Sequence, residues 1–263
     1  TIRLIGKYGG LSDSYKSVVE SLQHAALANN STIEIKIIPS EELEKEGNLK
    51  LLKDLDGILV PGGFGDRGVL GKLISIKHAR EKKIPFFGIC LGMQCATIEF
   101  ARNVCGMKGA HSTEFDPQTN YAVISLLEEQ KKVVNLGGTM RLGAYPCTLL
   151  KGSKASQAYQ KQSISERHRH RYEFNNEFRA ILEKKGMIFS GTSPDKTLVE
   201  IVELKDHPWF LGCQFHPEFK SRPVVPHPLF KEFIKATIKN KKKKPNVSTK
   251  SIMKKNKKSL KKK

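Results

Sequence analysis

Apolar and polar positions along the first half of the chain follow two alternating periods, one of a buried strand and one of a helix. Residues 2–6 (IRLIG) form a nearly continuous apolar run, as a strand covered on both faces requires. The next segment, SDSYKSVVESLQHAALAN, sets Tyr15, Val18, Val19, Leu22, Ala25 and Ala26 at helical spacing behind Ser and Asp cap candidates. Strand-like runs recur at residues 32–38, 56–60 and 85–89, and helical spacing returns over residues 69–82 and in LGMQCATIEFARNVC. Strands alternating with helices predict an α/β fold, a mostly parallel central sheet with helices on both faces.

The second half is richer in strand patterns. It contains KVVNLGGTMRLGAYPCTLL, the basic stretch ERHRHRYEFN, a short helix EFRAILEKKG, a strand pair in MIFSGTSPDKTLVEIVEL and a strand WFLGCQF. A last amphipathic helix, residues 228–238, carries Leu229, Phe230, Phe233, Ile234 and Ile238 on one stripe. No repeat or internal linker interrupts the pattern, so residues 1–238 read as one domain.

Charge changes the picture at the C-terminus. The 263 residues carry a net charge of +20, and 13 of the lysines lie in residues 239–263, where no acidic residue occurs. Residues 1–238 keep 33 basic against 26 acidic residues, a net of only +7. A self-repelling run of low hydrophobicity cannot offset its ordering entropy, so residues 239–263 are expected to be a disordered, solvated tail. Polyanion binding or a targeting role is the other reading of that run, and nucleic acid is not the expected partner. Mean hydropathy is −0.40, and no apolar run is long enough for a membrane span. No signal-peptide core precedes the first strand, and a start at Thr1 suggests a chain cut from something longer. Cys90, Cys95, Cys105, Cys147 and Cys213 are odd in number and show no CxxC or zinc spacing, which predicts free thiols in a reducing, cytoplasmic setting.

Three short segments carry candidate chemistry. Gly88-Ile89-Cys90-Leu91-Gly92 joins a strand to a helix with the spacing of a nucleophile elbow, Cys standing where Ser is commoner. Small residues are needed two positions either side because side chains would collide at so sharp a turn, and the helix N-terminus favours a thiolate. The same five residues also fit a buried cysteine in a glycine turn. Phe215-His216-Pro217-Glu218 ends a strand, and alternation sends His216 and Glu218 to the same side, so a carboxylate can orient an imidazole. Pro61-Gly62-Gly63-Phe64-Gly65 follows an apolar strand and can aim backbone N–H groups at a ligand. The nearby GDRGVLGKL is not a P-loop, since five residues separate Gly65 from Gly71 and Leu73 replaces the magnesium-binding Ser or Thr. In HRHR, alternation puts His168 and His170 on one face and Arg169 and Arg171 on the other, which fits a solvated basic strand, a phosphate site or a metal site.

PGGFG, GICLGMQ and QFHPEF, in this order, resemble the class I (triad) glutamine amidotransferases. GKY near the start, HSTEF at residues 111–115, LGGTMRLG at 136–143, ERHRHRYE at 166–173 and HPWF at 207–210 are similar to the amidotransferase domain of the CTP synthases. The resemblance covers residues 1–238. It implies a catalytic triad of Cys90, His216 and Glu218, an oxyanion hole from Gly63 and Leu91, and L-glutamine held by Gly63, Leu91, Gln94, Glu114 and Arg171. It also implies a thioester route to glutamate and ammonia without a cofactor or metal in this domain. The ammonia would serve an N-terminal synthetase domain of the same polypeptide, which uses ATP and Mg to turn UTP into CTP in a homotetramer. Between Ser125 and Asn135 there is no arginine, where some members place one linked to GTP activation. The competing readings are an amidotransferase or related hydrolase of another pathway, and a polyanion-binding module acting through the tail.

Overall fold

The computed structural model describes residues 1–7, 12–126 and 140–243. Among them a nine-stranded sheet runs in the order β2-β1-β3-β4-β12-β11-β10-β7-β8. Its first five strands, β2 (Ile35–Pro39), β1 (Ile2–Gly6), β3 (Gly57–Val60), β4 (Phe86–Ile89) and β12 (Phe210–Cys213), are mutually parallel. The other four, β11 (Val199–Leu204), β10 (Met187–Thr192), β7 (Arg141–Leu149) and β8 (Ser163–His170), join antiparallel. The strand-rich second half of the sequence is therefore one extension of the same sheet. A small second sheet holds β5 (His111–Ser112), β6 (Ala122–Ser125) and β9 (Glu173–Phe174).

Why each parallel strand is almost wholly apolar is visible in where its side chains go. In β3, Ile58 and Val60 enter one core and Leu59 the other; in β4, Phe86 enters the first while Phe87 and Ile89 enter the second. The first core is closed by α2 (Val69–Glu81) and α3 (Leu91–Asn103), through residues such as Leu73, Ile76, Met93 and Ile98. The second is closed by α1 (Lys16–Leu27) and α6 (Pro228–Lys243), through Val18, Leu22, Phe230 and Phe233. Phe87 meets Phe230 edge-on at 5.2 Å between ring centroids. Burying each such side chain contributes about 1.5–3 kcal/mol. The short helices α4 (Lys154–Tyr159) and α5 (Arg179–Lys184) pack at the antiparallel end.

Boundaries differ from expectation most clearly at two places. The second strand starts at Ile35, three residues late, although Glu34 O still accepts the Ile2 N–H at 2.8 Å. α6 continues to Lys243 rather than stopping near 238. Lysine is a good helix former and its charge suits a helix C-terminus, and Asn240 Nδ2 donates to Asp56 O at 3.0 Å. The rest of the lysine-rich run, residues 244–263, lies outside the described residues, as do residues 127–139, most of the stretch after Ser125 whose sequence lacks an activating arginine.

Candidate active site

β4 ends and α3 begins at Cys90, and this junction dictates the local geometry. Cys90 takes φ 51° and ψ −105°, a region that non-glycine residues rarely enter, and caps α3. A Cβ on Gly88 would sit 2.7 Å from the Gly92 backbone, and one on Gly92 would sit 2.1 Å from Val60 O. Both positions therefore require glycine, on the steric ground read from the sequence. Leu91 opens α3, where an N–H has no acceptor within the helix.

β12 is the parallel neighbour of β4, so the residues after it arrive beside Cys90. His216 Nδ1 and Glu218 Oε1 are 2.7 Å apart, and the His216 N–H donates to Arg167 O at 2.7 Å, fixing the segment against β8. His216 Nε2 is buried without a hydrogen-bond partner among the described residues, so that nitrogen is left to act on the neighbouring Cys90. Burial would lower the pKa of the imidazole, but the Cys90 sulfur and the Glu218 carboxylate outweigh it and raise it to about 10. The Pro-Gly-Gly turn after β3 closes the third side. A Cβ on Gly62 would stand 2.9 Å from His216 Cε1, and one on Gly63 would stand 3.5 Å from Leu91 Cδ2.

Gly63, Cys90, Gln94, Glu114 and Arg171 line one pocket of about 20 Å³, together with Phe64, His170 and Tyr172. Leu91 follows Cys90 at the start of α3, and the same Cβ on Gly62 would stand 3.5 Å from Cys90 Cβ, which sets His216 beside the cysteine. Five of the eight residues expected at the site thus line this pocket, and the other three adjoin Cys90 in sequence or through the turn after β3. Gln94 Nε2 donates to Tyr172 O at 3.0 Å and to Gln214 Oε1 at 3.2 Å. Glu114 Oε1 accepts the Gly65 N–H at 2.8 Å; burial pushes its carboxyl up, against the pull of that N–H, Lys7 and Arg171. Lys7 Nζ donates to Gly65 O at 2.6 Å and also to Phe64 O. Lys7 and Glu114 therefore hold the Phe64-Gly65 corner over a space with room for about one water molecule.

Sequence reasoning missed Gln214, whose Nε2 lies 3.7 Å from Cys90 Sγ, and it read the HRHR strand without its partners. His168 and His170 are buried and face Glu200 Oε2 and Glu173 Oε1, each at 2.7 Å, while Arg141 bridges Glu173 and Glu200 at 3.0 and 2.9 Å. The stretch is thus a buried charge network on one face and an exposed basic strand on the other. Gln214 had a signal, its place next to FHPE on a strand end, and Arg141 lies within LGGTMRLG, although nothing there announces its partners; Glu200 is far from the motifs and had none. Among the described residues no group of three His, Cys, Asp or Glu could hold a metal ion, and no helix is long and apolar enough to cross a membrane. All five cysteines are free. Burial pushes the thiols of Cys95, Cys105, Cys147 and Cys213 up, Cys95 to about 11, which keeps those four protonated at neutral pH.

An arrangement of this kind can attack a carbonyl carbon with sulfur, hold the resulting oxyanion on two backbone N–H groups and pass a proton through an oriented imidazole. Residues 11–236 match the family described as glutamine amidotransferase class-I. CTP synthase of Clostridium acetobutylicum is 63% identical over 243 residues, covering 92% of this chain and 45% of the relative; that of Bacillus subtilis is 61% identical over 238 residues, covering 90% and 44%. The chain thus spans under half the length of these curated relatives. The solved glutaminase domain of Trypanosoma brucei CTPS, with bound acivicin, superposes with a TM-score of 0.86 at 38% identity, covering 90% of this chain and 93% of that domain. A solved Thermoplasma acidophilum protein described as a GMP synthase component shares the fold at 17% identity and a TM-score of 0.57, covering 92% of this chain and 96% of its own.

Proposed function

Since the chain belongs to the class-I glutamine amidotransferase family, as a glutaminase domain of the CTP synthase type, we propose that Cys90 is its nucleophile and L-glutamine its substrate. The Cys90 thiolate attacks the side-chain amide carbon, and the N–H groups of Gly63 and Leu91 hold the oxyanion. His216, oriented by Glu218, gives its proton to the departing nitrogen; the C–N bond breaks, ammonia leaves and a glutamyl thioester remains. Water, deprotonated by the same imidazole, then cleaves the thioester to glutamate. Each donor of the oxyanion hole is worth about 10²- to 10³-fold in rate.

Glu114 receives the substrate ammonium and Arg171 the α-carboxylate, the pairing expected for a free amino acid. Glu114 is occupied by the Gly65 N–H, so the incoming ammonium replaces that bond and lifts the Phe64 corner, enlarging the pocket. Gln94 orders the floor through Tyr172 O and Gln214.

The ammonia is consumed by a synthetase domain of the same polypeptide that uses ATP and Mg to convert UTP to CTP, in a cytoplasmic tetramer. Residues 1–238 form the amidotransferase domain and the lysine-rich end is an appendage to it. The observation that carries the reading is a strained cysteine elbow that shares one pocket with two groups suited to the ends of an amino acid and has a carboxylate-oriented imidazole close by. Treatment with a glutamine-analogue electrophile should place one adduct on Cys90, and Cys90→Ser should abolish it. An adduct on another residue, or labelling that survives the substitution, overturns the assignment.

A further inference from the structure

A second hollow lies at the opposite end of the same strands, with a volume of about 1230 Å³. Lys82 and Lys83 border it just before β4 begins, and Pro208 and Trp209 just before β12, so it opens where the parallel strands start and Cys90 sits where they finish. Among the described residues nine lysines line it against three acidic residues. Two of those acids are already engaged: Glu203 accepts the N–H groups of Lys154 and Ala155 at 2.9 and 2.8 Å, and Glu232 pairs with Lys235 at 3.0 Å. Its apolar lining is Trp209, which is buried, and Ile188 and Ala236, which are half-buried, with Pro208 and Leu150 exposed at its edge. Trp209 is 5% exposed, and its buried indole N–H has no hydrogen-bond partner among the described residues.

We propose that this cleft is a docking site for an extended acidic peptide segment of another protein, carrying apolar side chains between its carboxylates. The charge of the walls demands an anionic partner, and the apolar lining demands one that is not anionic throughout. An apolar centre inside a charged rim is the anatomy of a protein contact. No arginine lines the cleft. Phosphate recognition favours the bidentate guanidinium, whereas lysine acts as a point charge that a carboxylate satisfies equally well. The lysines come from the end of α2, the turn after β7, α4, the turn after β11, and α6, so the field surrounds the apolar lining on several sides.

Trp209 is the single tryptophan of the chain and therefore reports on this cleft. The full chain would be titrated with a short synthetic peptide alternating Glu with Leu, a matched peptide alternating Glu with Ser, and a polyphosphate of equal charge, following Trp209 emission. The Glu–Leu peptide should shift the emission and bind at least about tenfold more tightly than the Glu–Ser peptide, because burying one leucine is worth that much. Lys205→Glu with Lys239→Glu should weaken it about tenfold. Lys50→Glu, outside the cleft, should leave it unchanged. Failure of the Glu–Leu peptide to bind overturns the proposal, as does polyphosphate binding of equal strength or equal weakening by Lys50→Glu. Binding that leaves Trp209 emission unmoved also overturns it, by placing the peptide on the lysines of 244–263 instead.

Discussion

The two hollows at the ends of β4 and β12 are opposites in construction. The pocket at Cys90 measures about 20 Å³ and the basic cleft about 1230 Å³. In the first, backbone conformation, glycine spacing and a 2.7 Å imidazole–carboxylate bond fix each group to one position. In the second, flexible lysine side chains stand around an apolar lining and most need no particular place. Reaction chemistry needs the first kind of precision, because a displacement of about 1 Å can cost about 10²-fold in rate. Attraction between charges needs far less, since the Coulomb energy falls slowly with distance. Substitutions at the two ends should therefore differ sharply in effect.

The largest effect is expected at Glu218. Glu218→Gln removes the charge that orients His216 while nearly keeping the shape, and glutamine hydrolysis should fall about 10²- to 10⁴-fold. The imidazole pKa, held up at about 10, should fall as well. Its sign for stability is fixed by linkage: a folded pKa above the unfolded value of about 6.5 gives stabilisation that is complete below pH 6.5 and lost as pH rises through 10. In Glu218→Gln that loss should be smaller and should be complete at a lower pH. A histidine NMR titration with melting curves at several pH values checks both; an unshifted imidazole would show that Glu218 does not act on it.

Next in size is Gly92→Ala. The new methyl would stand 2.1 Å from Val60 O, a backbone atom that cannot swing aside, so α3 must shift away from β3. Overpacking of this kind costs about 1–3 kcal/mol. Since Cys90 caps the same helix, the displacement should also slow labelling by a glutamine analogue about 10²-fold. Full labelling rates with an unchanged melting temperature would mean that the elbow is not held by this contact.

The difference between the two hollows also explains what could be read from the chain beforehand. The elbow was legible because Gly88, Cys90 and Gly92 are forced into one spacing by local sterics, and His216 and Glu218 because strand alternation joins them. The parallel strands were legible because burial on both faces leaves continuous apolar runs. Pairing across long separations left no such mark. Nothing local to His168 announces Glu200, and Arg141 meets Glu173 and Glu200 only after β7, β8 and β11 have assembled. The basic cleft is harder still, since its lysines belong to elements spread from Lys82 to Lys243 and each alone reads as an ordinary solvated charge. The tail's charge dominated the sequence, whereas part of the basic surface belongs to the folded domain.

The smallest effect should follow from changing the cleft while leaving the pocket alone. Lys239 is exposed on α6 near its C-terminal end, so Lys239→Glu places a negative charge where the helix dipole disfavours one, and the melting temperature should fall, by less than about 2 °C. The pocket should not register the change. β4 alone separates the two ends by four residues, about 13 Å at the strand rise, which exceeds the screening length of about 8 Å at physiological salt. Labelling of Cys90 by a glutamine analogue should therefore keep its rate within about twofold at that ionic strength. A larger change that vanishes as salt is raised would mean that the field of the cleft reaches the thiolate through the sheet, and the two ends would no longer count as independent.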